Sequence, residues 1–261
     1  MKHLQKTVLD WTATGAAVGG VFAVLFVFDV VQRLADRIGP DSQQRAATKM
    51  AWGINRAVRF AGASFRVEGK ENVTPGKPYI IVSNHQSLFD ISMAQEFLAS
   101  LQPRYISKRE LQRGIPGVSY NLRRGGSACI DRKNPEQAHA EIERLSKRIA
   151  EEGFSVVIFP EGTRSKTGAM RPFREAGLRT MVLNAPGVPV LPVTTSGGSK
   201  LFRNQLRPVT RDVELGFHIH PPVMPPHPSE KEAFSSFVKS CEETIRSALP
   251  EADRSGRALL D

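Results

Sequence analysis

The sequence predicts an α/β fold: a largely parallel or mixed central sheet flanked by helices, preceded by an N-terminal membrane-associated helical segment. Three observations predict it. Short β-branched apolar runs, Tyr79-Ile80-Ile81-Val82-Ser83 and Phe154-Ser155-Val156-Val157-Ile158-Phe159, have strand length and the continuous apolarity of buried strands. Segments with helical periodicity alternate with them, the pattern of helices laid over a sheet. Residues 11–28 carry no charge at all. At 40% hydrophobic and 24% charged the chain is that of a folded protein, and 261 residues suffice for one α/β domain and an appendage.

The appendage is residues 1–62. Eighteen uncharged residues at the helical rise give roughly 27 Å, barely a bilayer core. Asp29 ends the stretch, and Gly15, Gly19 and Gly20 weaken it. The expectation is a helix that either spans a membrane once or lies half-embedded. Arg33, Arg37, Arg45 and Lys49 follow it, against Lys2 and Lys6 before it, which favours a cytoplasmic location for what comes after. Residues 44–61 mix Ala47, Met50, Trp52, Ile54, Val58 and Phe60 with Arg45, Lys49, Arg56 and Arg59, a composition that suits an interfacial helix with basic anchors. A helix packed on the following domain is the alternative.

Residues 63–250 form the expected α/β domain. Pro75-Gly76-Lys77-Pro78 turns into the first buried strand, and directly after it stands Asn84-His85-Gln86-Ser87-Leu88-Phe89-Asp90. A histidine at a strand end sits at the rim of a cleft, and the next turn returns Asp90 to it. A carboxylate on one ring nitrogen fixes the tautomer and stabilises the imidazolium, leaving the other nitrogen as a base. The chain has no Gly-x-Ser-x-Gly, so the pair points to a base acting on a hydroxyl of the substrate. Gly126-Ser127-Ala128-Cys129-Ile130-Asp131-Arg132 is again a strand ending in charge. Asn134-Pro135-Glu136-Gln137 starts a helix with Asn as N-cap and Pro at the first position; Ala138, Ile142, Leu145 and Ile149 share its inner face, and Gly153 closes it.

After the next strand comes Pro160-Glu161-Gly162-Thr163-Arg164-Ser165. Open α/β sheets bind ligands where strands run into such loops. Glycine admits a close approach, and arginine offers a bidentate fork to phosphate. Glu161 is expected to orient that arginine or to bond a substrate hydroxyl. In Val188-Pro189-Val190-Leu191-Pro192-Val193 the prolines argue for an edge or irregular strand. Residues 213–219 alternate as a strand. Ser229-x-x-Glu232 opens a last helix with Phe234, Phe237, Val238, Cys241 and Ile245 facing inward. Residues 251–261 read as a polar, frayed tail.

A net charge of +10 and a pI near 9.9 imply an anionic partner. Arg104, Lys108, Arg109, Arg113, Arg123, Arg124, Arg132 and Lys133 are interrupted only by Glu110 and Asp131. No helix-turn-helix, zinc or aromatic-basic motif supports nucleic-acid binding; an anionic membrane surface fits better. Cys129 and Cys241 make neither a disulfide framework nor a metal pattern, as in a reduced, cytosolic domain.

Taken in order, Asn84 to Asp90, Lys108-Arg109-Glu110-Leu111, Gly126 to Arg132, Phe159 to Ser165 and Val188 to Val193 resemble the motifs of the glycerolipid acyltransferases, the lysophosphatidate (1-acylglycerol-3-phosphate) acyltransferases, over residues 65–220. The departures are Cys129, where that family usually has Phe, and Arg174-Glu175-Ala176-Gly177, where it more often has two Lys before Gly. The resemblance implies direct acyl transfer from acyl-CoA or acyl carrier protein to the sn-2 hydroxyl of lysophosphatidate, with no cofactor and no metal. It implies His85 as base and Asp90 as its partner. Arg132, Gly162 and Arg164 would hold the acceptor phosphate, with Glu161 and Thr163 shaping that site. Ser87 would cap the following helix, and Asn84 and Lys108 would support the site. Pro189 and Pro192 would wall the acyl pocket. Partners would be membrane lysolipid and, through the basic run, anionic headgroups or an acidic carrier protein. Another lysolipid acceptor, or a catalytically silent lipid-binding protein on this fold, is the alternative.

Overall fold

The computed structural model describes residues 2–165, 167–201 and 208–254. In chain order it has α1 (Lys2–Asp36), α2 (Pro40–Val58), β1 (Ser64–Glu68), β2 (Ile80–Ser83), α3 (Phe89–Phe97), β3 (Arg104–Lys108), α4 (Val118–Arg124), β4 (Ala128–Ile130), α5 (Pro135–Glu152), β5 (Val156–Ile158), α6 (Glu175–Asn184), β6 (Val190–Ser196), α7 (Gly198–Leu201), β7 (Glu214–Ile219), α8 (Lys231–Ser247) and α9 (Glu251–Arg254). The strands form one seven-stranded sheet in the order β1-β7-β6-β2-β5-β3-β4, parallel except between β6 and β7.

Because strand side chains alternate between faces, each buried run feeds two cores. Ile81, Val157 and Leu191 point to the face covered by Val58 of α2 and Met93 and Ala94 of α3. Ile80, Val82, Val156, Ile158 and Val190 point to the face covered by Ile142, Leu145 and Ile149 of α5, Leu178 and Met181 of α6, and Phe234, Val238, Cys241 and Ile245 of α8. All are buried, and each such side chain contributes about 1.5–3 kcal/mol. The start of α5 is as expected: Asn134 accepts from the Gln137 amide, and the Gln137 side chain accepts from the Asp131 amide.

Three expectations are corrected. The proline-bearing run is not an edge: β6 lies between β2 and β7. Pro192 is tolerated because it falls between the ladder that ends at Val193–Ile219 and the isolated bridge Val190–Val223, where the opposing His220-Pro221-Pro222 needs no donor; its carbonyl still accepts from His220. Pro189 precedes the strand and offers its carbonyl to Ile80. Ser229 does not cap α8: its hydroxyl is held by His227 at 2.6 Å, and Glu230 takes the cap position. The segment after Leu249 turns into α9 and buries Asp253 completely; residues 255–261 lie outside the described residues.

Residues 44–61 form most of α2 and the turn after it. The outer face carries exposed Trp52 and Phe60, but the inner face is buried on the domain. Asn55 donates to the Ser92 carbonyl and to Glu96 and accepts from the Ser92 hydroxyl at 2.7 Å. Helix α1 runs beside α2, with Gly53 against Val24 and Gly20 against Ala57. Its stretch Thr7–Asp36 is long and apolar enough, by length and composition, to cross a membrane.

Candidate active site

In a parallel sheet the strands end at a common edge, so the loops after β2, β3, β4 and β5 converge there. The turn after β2 is built around one carboxylate. Asp90, 1% exposed, receives the His85 ring through Nδ1 at 2.8 Å from its Oδ2. The same oxygen accepts the Gln86 amide at 2.7 Å and the Ser87 amide at 2.8 Å, while Oδ1 accepts the Ser87 hydroxyl at 3.1 Å. The imidazole also stacks on Phe159, centroids 4.1 Å apart and planes at 17°. One nitrogen is thus committed to the carboxylate and carries the proton; Nε2 has no partner among the described residues. Ser87 accepts the Phe89 amide in the first turn of α3, the capping role expected, although Leu88 occupies the cap position itself.

The surrounding residues lock this turn rather than enlarge the site. Asn84, fully buried, clamps β6 by donating to the Thr195 carbonyl at 2.8 Å and accepting its amide at 2.7 Å. Gly198, the first residue of α7, lies so near that a Cβ there would stand 2.6 Å from Ser87 Oγ. Only glycine fits, a requirement that no local sequence signal announces. Pro189 and Pro192 are buried within the sheet.

Glu161 is another correction. Expected at the phosphate site, it is buried at 2% and both its oxygens are used, Oε1 by the His85 amide at 2.8 Å and Oε2 by the Arg171 amide at 2.9 Å. Burial pushes its carboxyl above the ordinary value, against the pull of those two amides. With the Ser165 amide donating to the His85 carbonyl at 2.7 Å, Glu161 stitches the loop after β5 to the turn after β2. Buried at 2%, it serves to join the two loops rather than to line the open surface.

Cations gather beside this stitch. Arg132 follows β4, and exposed Lys108 ends β3 one strand away. Gly162, at φ 73°, has the Arg174 guanidinium across it, 3.5 Å from where a Cβ would stand. Partial desolvation and the like charge of Arg174 hold Arg132 below its ordinary value, opposed by Glu110. Arg164, two residues past Gly162, is exposed, and Thr163 beside it is half-buried. Among the described residues Arg132, Arg164 and Arg174 make no ion pair. Arg132 and Arg174 repel one another and Arg174 lies across the glycine turn, an arrangement chemically suited to an anion. Sequence reasoning noted Arg174 only as a departure from the family pattern. The basic run is less uniform than expected. Arg104 is buried under Phe154 and bonds the Gln102 carbonyl, its guanidinium pushed down to about 10 by burial and by Arg148. Arg124 pairs with Asp36 of α1.

The fold and site define an α/β protein that sets a half-buried histidine, hydrogen-bonded to a fully buried carboxylate, at the edge of a largely parallel sheet. The family model Acyltransferase matches residues 64–196. The mouse 1-acyl-sn-glycerol-3-phosphate acyltransferase alpha is 31% identical over 62% of this chain and 55% of its own length. The Pseudomonas aeruginosa 1-acyl-sn-glycerol-3-phosphate acyltransferase is 35% identical over 53% and 51%. The crystal structure of the 1-acyl-sn-glycerophosphate (LPA) acyltransferase from Thermotoga maritima superposes with a TM-score of 0.68 at 26% identity, covering 100% of this chain and 98% of that one. The chain belongs to the acyltransferase family. It spans about half the length of the curated relatives it matches. With an apolar N-terminal helix largely exposed, it is a membrane-associated member.

Proposed function

We propose that the protein transfers a fatty acyl group from a thioester, acyl-CoA or acyl carrier protein, to the sn-2 hydroxyl of 1-acylglycerol-3-phosphate, giving phosphatidic acid. The observation that carries this reading is the His85–Asp90 pair, its Nε2 without a partner among the described residues, bonded through Glu161 to the loop where the Arg174 guanidinium crosses Gly162. Nε2 takes the hydroxyl proton as the oxygen attacks the thioester carbonyl; the new C–O bond forms, the C–S bond breaks, and the proton passes to the departing thiolate. Asp90 balances the transient imidazolium. The named relatives act on the same acceptor class, and the reaction as written draws on no cofactor beyond the thioester.

The test is an acceptor panel. Lysophosphatidate is expected to be acylated and its dephosphorylated analogue to be used at least about tenfold less well, the loss of one charge-assisted contact of roughly 1.4 kcal/mol or more. Arg164→Ala and Arg174→Ala should each raise the acceptor KM by about tenfold and leave the thioester KM unchanged. Equal use of both acceptors by the wild type would refute the phosphate site.

We further propose that α1 lies in the plane of one leaflet, with the catalytic domain on the cytoplasmic face. Polar contacts from α1 to the domain recur along its length: Asp10 with Arg211 at 3.6 Å, Thr14 with the Val209 amide at 3.0 Å, Asp29 with the Gly117 amide at 2.8 Å, and Asp36 with Tyr120 at 2.8 Å. A perpendicular helix would carry those partners into hydrocarbon, where unsatisfied polar groups are costly. Trp11, Phe22, Phe26, Val30 and Leu34 remain exposed along its length, with Trp52 of α2, as an in-plane helix requires. The net charge of +10 suits the anionic cytoplasmic leaflet. Phe22→Glu combined with Phe26→Glu should shift the protein from the membrane pellet to the soluble fraction without unfolding it. A double variant that stays in the pellet would contradict the in-plane face.

A further inference from the structure

We infer that Asp253, in the C-terminal turn α9, is a positioning residue for the catalytic turn and acts through Gln86. A carboxylate in a polar terminal segment would ordinarily stay in water, because burying it costs several kcal/mol unless it is paired. Here Asp253 is 0% exposed. Its Oδ2 accepts from Gln86 Nε2 at 3.2 Å, and Lys200 Nζ stands 3.6 Å from its Oδ1. The turn that carries it is closed by the Asp253 and Arg254 amides on the Pro250 carbonyl and by Arg254 Nε on the Leu249 carbonyl.

Gln86 stands between His85 and Ser87 and is itself buried. Its amide is one of three donors on the Asp90 oxygen that holds the imidazole. Its side chain has two acceptors, the Gly168 carbonyl at 3.1 Å and Asp253; its Oε1 has none. Gly168 in turn passes so close that a Cβ there would meet Ser199 Oγ at 2.8 Å and Asp253 Oδ1 at 3.3 Å. The loop after β5 and the C-terminal turn therefore meet on the Gln86 side chain, and helix α7 reaches the same place through Lys200 on Asp253. Without Asp253, Gln86 keeps a single side-chain bond, and its amide is free to drift from Asp90. Asp253 touches no reacting atom; its effect falls on the rate of the chemical step rather than on binding.

This rests on the acyl-transfer reading for its kinetic half only. In the full chain, Asp253→Ala is expected to lower kcat about tenfold with acceptor and thioester KM unchanged. It should also speed hydrogen exchange in the peptide spanning residues 84–90. Asp253→Asn, which still offers a carbonyl oxygen to Gln86, should stay within about twofold of wild type in both measurements. If Asp253→Ala does not yield folded protein, Asp253→Ser takes its place, keeping a polar group that is too short to reach Gln86. Wild-type exchange in the Ala or Ser variant overturns the proposal, as does an Asn variant as impaired as Ala, which would assign the effect to the Lys200 charge pair. If the wild type itself consumes no thioester with lysophosphatidate, the acyl-transfer reading fails, and the exchange measurement alone decides for or against the clasp.

Discussion

Replacing His85 by alanine is expected to abolish acyl transfer, with kcat/KM falling about a thousandfold or more, the scale of a lost general base. The fold should survive, because residue 85 is held by its backbone: its amide bonds Glu161, and its carbonyl accepts from Ser165. Neither contact involves the imidazole. The cost to stability is confined to the ring's stacking on Phe159 and its bond to Asp90. Circular dichroism and a thermal melt alongside a thioester-consumption assay separate the two effects. A folded variant that keeps more than a tenth of wild-type turnover would refute the base assignment.

Asp90→Asn should be nearly as damaging to the rate and far gentler to the structure. The amide oxygen can take the place of Oδ2 and accept the same three donors. The amide nitrogen then faces the Ser87 hydroxyl, which is able to accept. What disappears is the negative charge that balances the imidazolium as the proton arrives, and kcat is expected to drop about a hundredfold or more. Asp90→Ala differs in kind. It leaves the buried Gln86 and Ser87 amides without an acceptor, at about 1–3 kcal/mol each, and should lower the melting temperature as well as the rate. An Asn variant with wild-type kcat would show that the carboxylate orients the ring without contributing charge.

The pairing of His85 with Asp90 was legible in the sequence because it is local: Asp90 stands five positions after His85, and a strand end followed by a turn brings them together. The two cores were legible for the same reason, since Ile80–Ser83 and Val156–Ile158 state their burial in composition. What escaped depends on partners distant in the chain. Pro189 and Pro192, before and within β6, look like edge markers until β7 is seen to part from the strand opposite Pro192. Asp253 reads as solvent-facing until Gln86 is found 167 positions earlier. Glu161 sits among residues suited to phosphate, and only the positions of the His85 and Arg171 amides reveal that its oxygens are occupied. Arg174 was visible as an oddity of sequence; its place over Gly162 requires the loop's path.

The stitch through Glu161 has a geometric consequence for the acceptor. In the proposed reaction it joins the residue that would act as base and the loop that would hold the phosphate into one caliper, with His85 at one jaw and the Gly162 turn at the other. A 1-acylglycerol phosphate gripped at its phosphate presents its single free hydroxyl at a distance set by its own carbon skeleton, and that distance must match the caliper's gap. Reach is then measured from the phosphate end, so an acceptor lengthened by a single carbon between phosphate and hydroxyl is expected to be held firmly and acylated slowly.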